Sequence, residues 1–312
     1  MQVHHDFPHP DGPTVLAIGV FDGVHRGHQA LIAEAKALSS STDLPLIVVT
    51  FGDHPDMVVR GQAPQLLMTP DEKCARLADL GVDQVVLVPF TRELADTPPE
   101  VFARTILAQR LRARHVCVGY NFRFGRRAAG SVETLRALGP TLGFDTHVLE
   151  PVSDGDEVIS SSRIRALLQR GELGRAIGLL GHAYTLTGDV VHGVSLGTEA
   201  LKTPTANLNL LPRKLLPADG VYAGTVTLDG GRYLAVMNIG VRPTFEGQNR
   251  TVEVHLLDYQ GNLYGRALTV AMRLYLRPEK RFRSPDELRA QIGRDIAKAR
   301  QTLMPNGVLL PE

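Results

Sequence analysis

The chain has 312 residues, of which 43% are hydrophobic and 21% are charged, as is usual for a folded globular protein. No apolar run approaches the roughly 20 residues that a membrane-spanning helix needs, so the sequence predicts no membrane partner. The 34 Lys and Arg residues nearly balance the 33 Asp and Glu residues, which excludes a general electrostatic attraction for nucleic acid. Because the net charge of the protein does not attract anions, anionic ligands have to be bound at specific local sites.

Two domains are expected, because the chain is longer than the size at which a single hydrophobic core usually stops growing. The sequence changes from alternating apolar runs and helical segments to consecutive strand-like segments after residue 181. This change places the predicted domain border between residues 181 and 182, giving domains 1–181 and 182–312. The first dozen residues lack the basic and apolar regions of a secretory signal. The two cysteines, Cys74 and Cys117, belong to no motif. Both observations predict a cytoplasmic location.

The first domain alternates short apolar runs with helical segments from about residue 13 to residue 180. This alternation is typical of an α/β domain with a Rossmann-like parallel sheet and crossover helices. The segments in chain order are TVLAIGV, QALIAEAKAL, PLIVVTF, EKCARLADL, QVVLVPF, HVCVGY, VETLRAL and FDTHVLE. Two short helices follow at SRIRALLQR and LGRAIGLL, and Gly181 is a plausible helix end.

The second domain has strands with period-two character, separated by Gly, Asn and Asp turns. The strands are YTLTGDVV, GVYAGTVTL, RYLAVMNIG, RTVEVHLLD and RALTVAMRLYL. They predict an antiparallel β-barrel or sheet. A terminal helix is expected over SPDELRAQIGRDIAKARQTL, with Ser284 as its N-cap and Pro285 at its first position.

A glycine-rich turn connects the first long strand to the first long helix. Its sequence is GVFDGVHRGH, residues 19–28, with glycines at positions 19, 23 and 27. In a doubly wound sheet this turn lies at the carboxyl edge, where backbone N–H groups and the helix dipole favour phosphate. Neither a P-loop nor a GxGxxG fingerprint is present, which disfavours an ordinary NTPase or dehydrogenase.

His25 and His28 stand near the start of that helix, three residues apart. They could donate hydrogen bonds to phosphate oxygens as charge builds in a transition state. The alternatives are a metal-binding pair or two surface histidines. The flanking glycines and the strand-to-helix context favour the phosphate interpretation.

Taken together, four segments resemble the FMN adenylyltransferase module of the nucleotidylyltransferase superfamily. They are GVFDGVHRGHQ with its HxGH motif, TFGDHP, GYNFRFG, and ISSSRIR, in which Ser162 replaces a threonine. The resemblance implies transfer of an adenylyl group from ATP to FMN, with Mg²⁺ carried mostly by substrate and water. The resemblance also implies that His25, His28 and Arg165 are catalytic. The residues that it implies for binding the nucleotide and the flavin phosphate or ring are Gly19, Phe21, Asp22, Gly23, Gly27, Asn121, Ser161 and Ser162.

Several of these residues also allow a purely structural interpretation. ISSSRIR alone could be a serine N-cap followed by solvated arginines, and only its combination with HxGH favours a nucleotide site. Phe122 and Phe124 are candidates for the hydrophobic core, at least one of them more so than for flavin binding. The three arginines of the same loop are either phosphate ligands or a solvated face: Arg123, Arg126 and Arg127.

In the second domain, Glu253 lies in the strand VEVHLLD, where alternation puts it on one face with His255. A carboxylate there could be a general base or only a solvent-facing glutamate. Together with PTAN, NIGVRPTF and LYG, this strand resembles the riboflavin kinase module over residues 183–300. The resemblance implies that Thr205 and Asn207 bind Mg-ATP and that Glu253 accepts the proton of the ribityl 5'-hydroxyl.

One loop departs from that resemblance. The family pattern GRxLGxPTAN is replaced here by GTEALKTPTAN, residues 197–207, so an arginine is missing and Lys202 stands where a glycine is expected. Lys202 could supply the lost positive charge to the ATP phosphates. Three hypotheses therefore stand: a bifunctional enzyme acting on riboflavin, FMN and ATP, an adenylyltransferase with a barrel that only binds flavin, and a different nucleotidylyltransferase.

Overall fold

The structure is a computed structural model that describes residues 1–191, 206–244 and 247–310. The chain divides into two compact units, residues 1–161 and 162–312. Two helices, α7 (Ser161–Gln169) and α8 (Leu173–Leu180), precede the strands of the second unit. The domain border between residues 181 and 182 remains a prediction.

The first unit contains a six-stranded sheet whose neighbouring strands are all parallel. The strand order is β1-β4-β3-β2-β5-β6, which confirms the predicted Rossmann-like architecture. The strands are β1 (Gln2–His4), β2 (Thr14–Ile18), β3 (Leu46–Phe51), β4 (Gln84–Val88), β5 (Ala113–Gly119) and β6 (Asp145–Leu149). A separate hairpin pairs β7 (Ser153–Asp154) with β8 (Glu157–Val158).

Helices cover both faces of this sheet. They are α1 (Arg26–Thr42), α2 (Asp56–Arg60), α3 (Pro70–Asp79), α4 (Arg92–Asp96), α5 (Pro99–Val101), a π-helix (Phe102–Arg110) and α6 (Val132–Leu142). Leu16 of β2 packs in the core on one face, whereas its neighbour Val15 packs with α1 and α3 on the other. Burial on both faces explains why the strands are continuous apolar runs.

The strand order reverses direction at β2. From β2 the chain moves to β3 and β4 on one side, and then returns to place β5 on the other side. Ligands of doubly wound sheets bind beyond the carboxyl ends of strands at such a switch point. The turn after β2 and the loop after β5 therefore flank the expected site.

The second unit is a closed six-stranded barrel with neighbours in the order β10-β13-β12-β11-β14-β9, all antiparallel. This confirms the predicted barrel. The strands are β9 (Tyr184–Val191), β10 (Ala206–Leu210), β11 (Gly220–Leu228), β12 (Gly231–Thr244), β13 (Gly247–Leu256) and β14 (Ala267–Arg277). The terminal helix α9 (Pro285–Leu303) begins after Ser284, whose side chain accepts from the Glu287 N–H, as predicted.

Candidate functional sites

The turn after β2 has a strained backbone. Phe21, Gly23 and Val24 have φ angles of 51°, 82° and 36°, in the left-handed region. This conformation suits glycine but is a clear outlier for a β-branched valine. Backbone strain of this kind persists only where the surroundings enforce it, and it concentrates at functional sites.

His25 and His28 stack on each other at the start of α1. Their ring centroids are 3.6 Å apart and their planes differ by 17°. His25 is the N-cap of α1, and its Nδ1 accepts from the His28 N–H at 3.4 Å. The Nδ1 atom of His28 is buried and has no hydrogen-bond partner among the described residues. An unpartnered polar atom at a helix N-terminus is poised to meet a ligand.

Burial and a nearby lysine shift the pKa of one member of this pair. Burial lowers the pKa of His28 well below its usual value of 6.5, and the neighbouring His25 and Lys73 lower it further. His28 is therefore neutral at neutral pH until an anion binds. A bound phosphate would raise the pKa again, because an opposite charge favours the protonated imidazole.

This pKa shift has a consequence for stability. The unfolded chain, with a histidine pKa near 6.5, binds more protons than the folded chain below that pH, so acid favours unfolding. We expect the urea-unfolding midpoint to fall as the pH is lowered from about 7.5 to 5.5, and to fall less in His28→Gln. The matched control His5→Gln, at an exposed residue, should follow the parent. An identical pH dependence for parent and His28→Gln would contradict this.

Two sequence-distant segments are hydrogen-bonded to the turn. Thr50, in the TFGDHP segment at the end of β3, donates its hydroxyl to the Val20 carbonyl at 2.9 Å. Ser161 donates its hydroxyl to the Asp22 carbonyl at 2.8 Å. The fold thus brings three of the four predicted motif segments to one place.

Other predicted residues of the turn serve its shape. Phe21 is fully buried, and the Asp22 carboxylate accepts from the N–H groups of Leu67 and Met68 at 2.9–3.2 Å. A Cβ on Gly27 would lie 3.2 Å from the His25 ring, so this glycine gives the imidazole room. A Cβ on Gly19 would crowd the Phe21 ring to the same distance. Phe21 and Asp22 thus anchor the turn through their side chains, whereas the two glycines leave room for neighbouring rings.

The GYNFRFG segment follows β5 at the opposite side of the switch point. Asn121 is exposed there, so a ligand that approaches from solvent can contact it. Phe124 is buried and stacks at 5.6 Å on Phe122, which confirms the core interpretation for Phe124. The roles of the three arginines stay open, since all are exposed. They are Arg123, Arg126 and Arg127.

The remaining residues of ISSSRIR lie on α7. Ser162 is exposed, and Arg165 is buried with only 9% of its surface accessible. Both lie beyond residue 161, the last of the first unit. Their nucleotide-binding roles stay predictions.

Lys73 is a residue that the sequence reasoning missed. It lies on α3 and is 4% exposed, and its ammonium donates to acceptors at the ends of β2 and β3. Its one sequence signal is its spacing: it precedes the buried Leu77 by four residues, on the same face of the helix.

In the barrel, three polar residues form a row across neighbouring strands. Asn207 of β10 pairs directly with Glu253 of β13, and Glu253 pairs directly with Asn238 of β12. Directly opposed residues of antiparallel strands share one face. The predicted alternation holds, because Val252 and Val254 are 2% or less exposed while Glu253 is half-buried. Strand register thus places three polar residues side by side, which sequence spacing alone did not show.

This row lies on the face of the barrel that meets α9. Leu234 and Val236, which precede Asn238 at alternate positions of β12, pack in one cluster with Ala299 of α9. The Asn238 side-chain amide donates to Glu279 at 2.9 Å, in the segment before α9. From the sequence, Asn238 was included only as the first residue of NIGVRPTF, and Glu279 was not named.

Asn207 is 8% exposed, and its Nδ2 atom has no hydrogen-bond partner among the residues that the structure describes. A buried amide with unused capacity suits ligand binding. Thr205 and Lys202 lie outside the described residues, so the structure does not test their predicted roles.

Metal clusters and membrane-spanning helices are both absent from the described ranges. No group of three or more His, Cys, Asp or Glu side chains there is arranged to hold a metal ion. No helix within the described residues is both long and apolar enough to span a bilayer.

Comparison with known proteins gives concordant results for both units. The FAD synthetase family model matches residues 8–163, and the riboflavin kinase family model matches residues 180–303. A bifunctional riboflavin kinase/FMN adenylyltransferase of Escherichia coli (strain K12) is 40% identical over 301 residues, 96% of each chain. The protein of the same name from Bacillus subtilis (strain 168) is 34% identical over 302 residues, covering 95% of this chain and 94% of its own.

The fold is also found among solved structures. The crystal structure of a macrolide-efflux protein from Streptococcus pneumoniae matches with a TM-score of 0.86 and 29% identity. The match covers 96% of this chain and 98% of that one.

Proposed function

The chain belongs to the family of bifunctional riboflavin kinase/FMN adenylyltransferases, and we propose that it makes FAD from riboflavin at two separate sites. Adenylyl transfer takes place at the turn of residues 19–28. Riboflavin phosphorylation takes place at the polar row of the barrel. The observation that carries the first assignment is the stacked His25/His28 pair, with its unpartnered Nδ1 atom, at the switch point of the sheet.

In adenylyl transfer, an FMN phosphate oxygen attacks the α-phosphorus of ATP. The new phosphorus–oxygen bond forms as the bond to the β-phosphate breaks, and pyrophosphate leaves without a covalent enzyme intermediate. Such a reaction depends on positioning and charge neutralisation more than on a protein nucleophile. His25 and His28 donate hydrogen bonds to the phosphate oxygens as their negative charge increases.

Further residues complete this site. Ser161, Ser162 and Arg165 bind the ATP phosphates or the adenine edge, with Arg165 forming charge-assisted bonds. Asn121, across the switch point, receives the flavin phosphate or ring. Gly19, Phe21, Asp22, Gly23 and Gly27 keep the turn in the strained shape that exposes its backbone N–H groups to phosphate.

In riboflavin phosphorylation, the Glu253 carboxylate accepts the proton of the ribityl 5'-hydroxyl while the hydroxyl oxygen attacks the γ-phosphorus of ATP. The bond from that phosphorus to the oxygen bridging it to the β-phosphate breaks. ADP leaves. Glu253 is suited to this role because it is half-buried and held between Asn207 and Asn238 on adjacent strands. The hydrogen bond from Asn238 to Glu279 fixes the outer edge of the row.

Magnesium fits the donor set at the kinase site. The side chains of Thr205 and Asn207 offer neutral oxygen ligands of the kind that Mg²⁺ prefers. The unpartnered Nδ2 atom of Asn207 is a donor, so it would meet a phosphate oxygen and not the ion. Bound with ATP, the ion would neutralise charge on the phosphates. Most of its remaining ligands would be phosphate oxygens and water, as is usual for Mg²⁺ bound with a nucleotide.

A single assay tests the assignment. The purified protein is incubated with riboflavin and Mg-ATP, and riboflavin, FMN and FAD are separated by chromatography. We expect FMN to accumulate and then to be converted into FAD. Conversion of supplied FMN without any phosphorylation of riboflavin would instead support a barrel that only binds flavin.

Lys202 provides a narrower prediction about the altered loop. It is the only basic residue between Gly197 and Pro204, and a cation besides magnesium is expected at the phosphates. We therefore expect Lys202→Ala to raise the Michaelis constant for ATP in the kinase reaction and to leave adenylyl transfer unchanged. A parent enzyme with strong kinase activity and an unaltered ATP requirement in the variant would refute this compensation.

A further inference from the structure

Lys73 is a buried lysine whose three donors are all used within the protein. Its Nζ atom donates to the carbonyls of Val20 and Phe51, both at 2.9 Å, and to the Thr50 hydroxyl at 3.3 Å. An ammonium group has three hydrogens, so none remains for a ligand. Lys73 is therefore a fixed link and not a phosphate ligand itself.

The link joins the two strand ends that form the adenylyl-transfer site. Val20 belongs to the turn after β2 and directly precedes Phe21, the first of its left-handed residues. Phe51 ends β3. The Thr50 hydroxyl reaches the same Val20 carbonyl at 2.9 Å. The strained turn is thus held to β3 by two donors, one of which comes from α3.

A second contact ties α3 to the same turn. The chain just before this helix, at Leu67 and Met68, donates two backbone N–H groups to the Asp22 carboxylate. Val20 and Asp22 are thus both fixed by the segment that carries Lys73. A conformation with three left-handed residues in four needs such external support, because it is unfavourable by itself.

A lysine is a costly way to make this link. Burial lowers the pKa of Lys73 to about 8, although Asp22, Cys74 and Asp53 oppose the shift. A charged group in such a place is expected only where the charge is used. The charge acts on His28, because Lys73 adds to the lowering of the His28 pKa that burial and His25 cause. A neutral side chain could pack there, but it would provide neither three hydrogen-bond donors nor the electrostatic field of a positive charge.

We propose that Lys73 is a positioning residue for adenylyl transfer, which holds the phosphate-receiving turn against the end of β3 and adds a positive charge that acts on His28. This inference rests on the proposed function of that turn. Lys73 touches no substrate. Its contribution lies in the geometry of the turn and in the attraction of the negative charge that the transition state develops.

The decisive variants are Lys73→Met, which keeps length without charge, and Lys73→Arg, which keeps charge and donors. We expect Lys73→Met to lower kcat for FMN adenylylation by about 10- to 100-fold, since small misplacements of a reaction site cost this much. Lys73→Arg should recover part of the loss. Riboflavin phosphorylation should stay at the parent rate in both variants, because it takes place in the other unit.

The matched control is Lys36→Met. Lys36 is exposed on α1 and also donates to a backbone carbonyl, that of Leu80, at 3.4 Å. Its loss should change neither reaction. A fall in adenylylation equal to that of Lys73→Met would mean that any lysine link in the sheet has this effect, which would overturn the specific role.

The pH profile separates positioning from simple packing. As the pH rises through about 8, the Lys73 ammonium loses its proton, so adenylylation by the parent should decline there. The titratable groups that act on it are Asp22, Asp53, Cys74 and His28. This decline should be absent in Lys73→Met and should move to higher pH in Lys73→Arg.

The outcomes distinguish this inference from the proposed function. A parent that forms no FAD from FMN and Mg-ATP refutes the proposed function. A parent that forms FAD, beside a folded Lys73→Met with unchanged kcat and pH profile, refutes the Lys73 inference alone. Where Lys73→Met does not fold, Lys73→Arg decides, and an unshifted alkaline decline in that variant overturns the inference.

Discussion

We expect His28→Ala to slow the conversion of FMN to FAD by about 10²- to 10³-fold, the usual effect of removing one preorganised donor from a developing negative charge. His28 stacks on His25 at the start of α1, and its Nδ1 atom has no partner among the described residues. A donor directed at substrate stabilises the transition state more than the ground state. The loss should therefore appear mainly in kcat, measured by chromatographic FAD formation from supplied FMN.

The second reaction of the same protein, riboflavin phosphorylation, serves as a control. Riboflavin phosphorylation by His28→Ala should remain near the parent rate, because Glu253 lies in the barrel and the histidine pair in the sheet unit. His5→Ala, at an exposed histidine, should leave both reactions unchanged. If His28→Ala made FAD at the parent rate, the site would have to be placed elsewhere.

Glu253→Gln should have the opposite effect on the two reactions, with riboflavin phosphorylation lost and adenylyl transfer kept. The substitution keeps the size of the side chain but removes the base, so FMN formation from riboflavin should fall by about 10²- to 10⁴-fold. Asn207 and Asn238, which oppose Glu253 on both neighbouring strands, should hold the glutamine in the same place. The loss would then report the missing proton acceptor and not a displaced side chain.

Adenylylation of supplied FMN by Glu253→Gln should be unaffected, which controls for folding of the whole chain. A comparable loss of both activities would indicate a folding defect or one shared site. Glu253→Asp adds a useful intermediate, because it restores a carboxylate that is one methylene shorter. Partial recovery of FMN formation in that variant would support the general-base role.

The fold was largely predictable from the chain. Apolar runs alternating with helical segments predicted the parallel sheet, since each run must be buried on both faces by the helices between them. Ser284 and Pro285 predicted the start of α9, because capping chemistry is local. β1 was missed, since three residues carry no detectable periodicity, and its pairing with β4 depends on a strand 80 residues away.

The sites show a similar division. Local patterns of residue type and spacing were enough to predict which segments carry chemistry, namely the HxGH turn, PTAN and the strand of Glu253. Which side chains meet depends on the tertiary fold. Strand register placed Asn238 beside Glu253, and the packing of α3 put Lys73 against Val20, 53 residues earlier in the chain. The physical reason is that such contacts depend on strand order and helix packing, which no local pattern encodes.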